Sequence, residues 1–363
     1  MSKIIILTTS FGGGHKSVAR ALKRALEQNF SVKTQIIDLY EVSTPTLNQI
    51  TARGYVYMMK YTPKLYGFFY SQTQDLEKAN PFNMLFTKPG LKELRDIIEK
   101  EEPQGLVAVY PTYGGMFYHL KREGFPLPKC FIVITDFVAH IQWLYDYIDV
   151  YFVPSLELKF YILKKGIICN KIEVSGIPIQ PEFGERKRTE RNLILISAGL
   201  YGMTPSIFEI GKVVEEIAPP DLDIILLCGV EEKLYKKAQK VFKRVKPVAG
   251  ILSQDYLADL MGRAYVLISK AGGLTTSEAL ASETPMIIYK PLPGQEYFNA
   301  LYLEKNEAGL VAHNAQELKN LLNALLYQRD LRDKLVENIR RIKKPNSAIH
   351  VAKVIHDELQ RRD

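Results

Sequence analysis

Lys3-Ile4-Ile5-Ile6-Leu7-Thr8-Thr9-Ser10-Phe11-Gly12-Gly13-Gly14-His15 opens the chain with a short apolar run and closes it on three glycines and a histidine. An amphipathic stretch, Lys16–Gln28, follows, and then a second apolar run ending at Ile36-Ile37-Asp38. That order spells strand, glycine loop, helix and strand, the first half of a doubly wound parallel sheet. Further buried strands are expected at Gly105–Val109, Cys130–Thr135, Val150–Val153 and Lys171–Val174. A second series runs through Leu193–Ser197, Ile224–Cys228, Val266–Ser269 and Met286–Tyr289. Between the two series, Gly176-Ile177-Pro178 to about Glu190 is rich in Pro, Gly and charge and reads as a linker. The predicted fold class is α/β, with two Rossmann-like domains facing a cleft. The domains expected are 1–178 and 190–345, with a C-terminal helix, 346–363, crossing back to the first.

Length and composition agree with this division. A chain of 363 residues exceeds one compact α/β core and suits two domains of about 150–200 residues. Its 47% hydrophobic and 24% charged residues are an ordinary globular balance. The three cysteines match no metal-ligand spacing, which points to a reduced, cytoplasmic protein. No stretch approaches the ~18 apolar residues of a membrane span. The net charge of +8 favours anionic partners, nucleic acid or anionic lipid headgroups on that number alone. The alternation breaks at about 45–89, where Tyr66, Phe68, Phe69 and Tyr70 stand among many aromatics interleaved with Arg53, Lys60 and Lys64. That composition suits a docking insertion on an anionic membrane surface, and equally the core of a helical insertion.

Four motifs carry chemistry. In the first, Gly12-Gly13-Gly14 lets a ligand approach a helix N-terminus, and His15 behind it is a candidate base. A dinucleotide fingerprint would need a glycine where Ser17 stands, although Asp38 closes the second strand as a ribose acid would. The second, Lys270-Ala271-Gly272-Gly273-Leu274-Thr275-Thr276-Ser277-Glu278, follows a strand and opens a helix. Its backbone N–H groups and hydroxyls suit a diphosphate, and Glu278 can accept bonds from two ribose hydroxyls. The third places Gln295 and Glu296 after Pro293-Gly294, with Asn299 one turn on, able to grip sugar hydroxyls. As an ordinary Pro-Gly turn it would need no function. In the fourth, Thr135-Asp136-Phe137 closes a strand, with His140 and Trp143 behind it. Asp136 could be a base or could orient His15, and Trp143 could line an apolar acceptor site or fill core. Asp221-Leu222-Asp223 formally matches a metal-diphosphate carboxylate pair but lies in a helix-to-strand turn, so metal-independent chemistry is expected.

Together these motifs, with Val174-Ser175-Gly176-Ile177-Pro178-Ile179, resemble glycosyltransferase family 28. The branch they resemble is that of monogalactosyldiacylglycerol synthase and diacylglycerol glucosyltransferase. The resemblance implies a GT-B fold with a lipid-acceptor N-terminal domain and a donor-binding C-terminal domain. It also implies inverting transfer of a hexose from UDP-glucose or UDP-galactose to diacylglycerol, with no cofactor and no nucleic acid. The implied place of work is the cytoplasmic face of a membrane, peripherally bound. His15 or Asp136 would be the base. Gly14, Gly199, Gly202, Gly272, Gly273, Leu274 and Thr275 would surround the diphosphate, Glu278 the ribose, and Gln295, Glu296 and Asn299 the hexose. His140, Trp143, Tyr66, Phe68, Phe69 and Tyr70 would face acceptor and membrane. Three alternatives stand beside it. They are an N-acetylglucosaminyltransferase acting on a polyprenyl-linked peptidoglycan precursor, an NAD(P)-dependent oxidoreductase, and a non-catalytic nucleotide-sugar-binding module.

Overall fold

The structure is a computed structural model that describes residues 2–9, 13–43, 62, 67, 90–185, 191–204 and 206–361. The docking insertion, with Arg53, Lys60, Lys64, Tyr66, Phe68, Phe69 and Tyr70, therefore lies outside the described residues apart from Thr62 and Gly67, as do Ser10, Phe11 and Gly12. The chain divides into two compact units. The first draws its described residues from 2–43, 90–179 and 346–361, and the second from 180–345 with Thr62 and Gly67.

The first unit holds one parallel six-stranded sheet. Its strands are β1 (Lys3–Leu7), β2 (Lys33–Ile37), β3 (Gly105–Ala108), β4 (Lys129–Val133), β5 (Ile148–Val153) and β6 (Cys169–Val174), in the order β2-β1-β3-β4-β5-β6. Ile4, Ile5, Ile6 and Leu7 are all fully buried, as expected of a strand covered on both faces. Leu7 pairs with Ile37 on one side and Ala108 on the other. The order reverses between β1 and β3, the place where doubly wound sheets gather ligands. The helix Ser347–Gln360 closes this unit against the helix Gly14–Phe30. Phe30 stacks on His356 at 5.2 Å, and Lys129 Nζ donates to the Glu358 carbonyl at 2.8 Å. Ser347 Oγ donates to the Ile177 carbonyl and accepts from the Ile179 N–H.

The second unit repeats the architecture with β7 (Leu193–Ser197), β8 (Asp223–Leu227), β9 (Val245–Val248), β10 (Ala264–Ser269), β11 (Met286–Tyr289) and β12 (Leu310–Ala312). Their order is β12-β11-β10-β7-β8-β9, with the reversal between β7 and β10. Two strands the sequence pattern does not mark, β9 and β12, are the edges. Pro247 inside β9 is tolerable there because an edge strand needs only one row of ladder bonds. Asp223 begins β8 and pairs with Lys246 at 2.7 Å and Arg263 at 3.8 Å, so the Asp221-Leu222-Asp223 segment is a strand entry held by basic neighbours. Among the described residues no helix is long and apolar enough to cross a membrane.

Candidate functional site

At the first unit's reversal, the chain leaves β1 and re-enters a helix at Gly13, whose φ of 68° is one that glycine adopts without strain. Gly13 caps the helix Gly14–Phe30 with no side-chain bond, so the first-turn N–H groups stay open. His15 is the second residue of that helix. Its Nδ1 lies 2.7 Å from the Val109 carbonyl at the end of β3 and 3.3 Å from Thr135 Oγ1 beyond β4. A carbonyl only accepts, so Nδ1 carries the proton and Nε2 keeps its lone pair. Nε2 has no hydrogen-bond partner among the described residues. Burial pushes the imidazole down to about 4, against the opposing pull of the Val109 carbonyl. The ring is neutral at pH 7, and Tyr110 meets it edge-on at 5.1 Å. The hydroxyl of buried Thr8, at the end of β1, has no hydrogen-bond partner.

Four expectations change here. The group that orients His15 is the Val109 carbonyl, with Thr135 beside it, not the carboxylate of Asp136. His140 is buried and caps a short turn, its Nδ1 accepting from the Gln142 N–H at 3.3 Å. Trp143 is 3% exposed and belongs to the first unit's core, so the lone tryptophan packs and does not face an acceptor. Asp38 accepts from the Glu41 N–H at 3.3 Å, a local role that a ribose acid would not need.

At the second unit's reversal, two loops meet. The first follows β7: Gly199 and Gly202 have φ of 73° and 62°, and Thr204 Oγ1 donates to the Ser197 carbonyl at 2.7 Å. A Cβ on Gly199 would sit 3.2 Å from Lys270 Cε, which places the two loops side by side. The second follows β10: Gly272 caps the helix Gly273–Ala281 without a side-chain bond, and a Cβ built on it meets nothing within 4 Å. Gly273, Leu274 and Thr275 form the uncapped first turn. By contrast, the helices starting at Leu156, Gln254 and Ala315 are capped by Ser155, Ser253 and Asn314 side chains. The helices at both reversals keep their N-terminal donors open for an anion.

Glu278 lies one turn deeper in the same helix. It is 5% exposed, takes no hydrogen bond or ion pair among the described residues, and burial pushes its carboxyl up to about 8. Thr276, two residues before it, is fully buried, its hydroxyl unpartnered among the described residues. Lys270, which sequence reasoning left without a role, forms an ion pair with Glu296 Oε1. Glu296 is buried, and its Oε2 has no partner among the described residues. Gly294, with φ of 94°, caps the helix Gln295–Lys305 that carries Gln295 and Glu296. Asn299 is fully buried and donates to the Ala271 carbonyl at 2.9 Å, which ties this helix to the Lys270–Gly272 loop. One of its two amide N–H groups thus serves the protein.

Comparison with known proteins follows this division of the chain. Residues 15–179 match the family model for monogalactosyldiacylglycerol (MGDG) synthase, and residues 209–356 match that for the glycosyltransferase family 28 C-terminal domain. A processive diacylglycerol beta-glucosyltransferase of Bacillus licheniformis is 27% identical over 95% of this chain and 92% of its own. One of the same description from Bacillus cytotoxicus is 28% identical over 98% and 94%. Among solved structures, MurG of Acinetobacter baumannii superimposes with a TM-score of 0.63 at 15% identity, over 98% of this chain and all of its own. S. aureus MnaA with UDP gives 0.66 at 14%, over 99% and 97%. These two share the fold, that of GT-B enzymes, at identities too low to carry more. The sequence matches are the ones that discriminate, and both halves fall in order on one lineage. The chain therefore belongs to the monogalactosyldiacylglycerol synthase and diacylglycerol glucosyltransferase branch of glycosyltransferase family 28.

Proposed function

We infer that the chain transfers a hexose from a UDP-sugar to diacylglycerol with inversion, giving a β-glycosyl diacylglycerol. The observation that carries the donor half is Glu278, a buried carboxyl with no partner among the described residues, one turn inside a helix whose N-terminus is open. A buried polar group left unpaired costs about 1–3 kcal/mol, and ribose hydroxyls are the partners that would recover it. The uncapped turn Gly273–Thr275, the loop at Gly199 and Gly202, and the Lys270 cation suit the diphosphate, whose charge grows as it leaves. Glu296 Oε2 would accept from hexose hydroxyls, with Gln295 beside it.

His15 is the proposed base. As the lipid hydroxyl oxygen attacks the anomeric carbon, Nε2 takes the hydroxyl proton and the C1–O bond to UDP breaks. Asp136 remains the rival for that role. We take UDP-glucose as the donor to test first, because the relatives that span nearly the whole chain are named for glucosyl transfer. Residues 53–70 and the net charge of +8 support peripheral attachment to an anionic membrane on its cytoplasmic face. Purified protein given labelled UDP-glucose or UDP-galactose with diacylglycerol in anionic vesicles should yield a labelled glycolipid with a β-linkage. Donor consumption without lipid product, or none at all, would overturn the assignment.

A further inference from the structure

The helix Leu156–Lys164 is amphipathic in two directions. Its inner face buries Leu158 and Ile162 in the first unit's core. Its outer face carries Leu156, Phe160 and Leu163, 58%, 65% and 53% exposed, at the i, i+4, i+7 spacing of one helical stripe. Lys159 borders that stripe on one side and Lys164 on the other, with Glu157 next to Lys164. Two further apolar side chains are exposed outside the helix: Ile168, 62% exposed, after its C-terminus, and Tyr147, 54% exposed, ahead of β5. They are tied together, because the Tyr147 N–H donates to the Ile168 carbonyl at 2.8 Å. Tyr147 is held at φ 66°, a left-handed conformation uncommon for an aromatic residue, and its ring stacks on Tyr118 at 6.4 Å. Arg122 lies over that second ring at 5.7 Å.

We propose that the stripe Leu156, Phe160 and Leu163, bordered by Lys159 and Lys164, with Ile168 and Tyr147 exposed beyond the helix, is a docking surface for an anionic phospholipid bilayer. A face of this kind lies in the interface plane, apolar side chains among the upper acyl chains and tyrosines and lysines at the headgroups. Its basic border decides against a second copy of the chain. A two-fold contact would set the lysines of one copy against those of the other, whereas anionic headgroups neutralise them. The choice of a bilayer rests on the lipid acceptor proposed above. The surface itself is distinct from residues 53–70.

The test uses the full chain and vesicles of phosphatidylglycerol with phosphatidylcholine. Leu156→Ser/Phe160→Ser/Leu163→Ser should keep the wild-type melting temperature and sediment with vesicles about tenfold or more weakly. Its transfer to a short-chain diacylglycerol in detergent micelles should be unchanged. Lys159→Gln/Lys164→Gln should weaken binding to anionic vesicles by about fivefold per lysine and leave neutral phosphatidylcholine binding alone. Wild-type vesicle binding by a stable triple variant would overturn the proposal. So would a change in oligomeric state, by sedimentation velocity, with vesicle binding retained. If the triple variant melts lower, Phe160→Glu alone decides on the same vesicle assay. Wild-type protein that binds vesicles but glycosylates no diacylglycerol would sink the proposed function and leave the docking result readable.

Discussion

His15 and Glu278 occupy corresponding places in their two units. Each stands in a glycine-capped helix beside the strand pair where its sheet reverses order, His15 at the second position and Glu278 a turn deeper. Burial acts on both and strips both of charge. It pushes the imidazole down to about 4 and the carboxyl up to about 8. The outcomes differ because one group is charged when protonated and the other when deprotonated. The first unit is left with a neutral nitrogen holding a lone pair, the second with a carboxyl holding a proton it will surrender to a suitable partner. The neighbours differ in the same sense. His15 is oriented by a backbone carbonyl, which adds no charge, whereas the second site keeps its charge in the Lys270–Glu296 pair.

The hardest blow to this contrast is His15→Ala. Turnover should fall by about two to four decades while donor affinity holds. Near-wild-type turnover at saturating substrates would hand the role of base to Asp136. The acid limb of turnover at saturating donor, where Glu278 is already engaged, sharpens the same point. A base whose conjugate acid sits at about 4 is lost only as pH falls through that value, so activity should stay flat through pH 6.5. A limb near 6.5 would show an imidazole no different from one in water.

Glu278→Gln is the next largest test. It should weaken UDP-sugar binding by about 1.5–3 kcal/mol, read by calorimetry. Its effect on stability runs the other way. The folded carboxyl holds its proton to about 8 and the unfolded one releases it near 4.5, so the native state binds more protons across that window. Stability therefore falls as pH rises through it. The Gln variant should melt higher than wild type at pH 8 and about equally at pH 4. At pH 7, donor binding should release up to one proton, because ribose hydroxyls favour the ionised form; buffers of different ionisation heat would show it. Smallest is Thr276→Val, expected to weaken donor binding by about 0.5–1.5 kcal/mol with no loss of melting temperature, since its hydroxyl has no partner to lose.

The sheets were legible because strands buried on both faces are continuous apolar runs, and Leu193–Ser197 and Met286–Tyr289 read off directly. β9 and β12 were not, one broken by Lys246 and Pro247 and the other only three residues long. Gly13, Gly199, Gly202 and Gly294 announced themselves through positive φ angles that glycine fills easily, whereas Gly272 did so only by its place after a strand. Partners brought by sheet order did not. Val109 lies 94 residues from His15, and Thr135 lies 120 away. Lys270 stood in a quoted motif, but its pairing with Glu296 across 26 residues depends on two loops meeting. The misplacement of Trp143 has the same origin: a lone tryptophan's spacing does not say which side of the chain meets the core.

The helix Ser347–Gln360 has a consequence for how the chain is made. It completes the first unit's wall against Gly14–Phe30, yet it is translated after all of the second unit's 180–345. On a ribosome, the later-encoded unit can close while the earlier one waits with the apolar face of Gly14–Phe30 uncovered, the reverse of the usual N-terminal-first order. That waiting face is where a holding chaperone would bind a nascent chain, and where a stalled or truncated product would first aggregate.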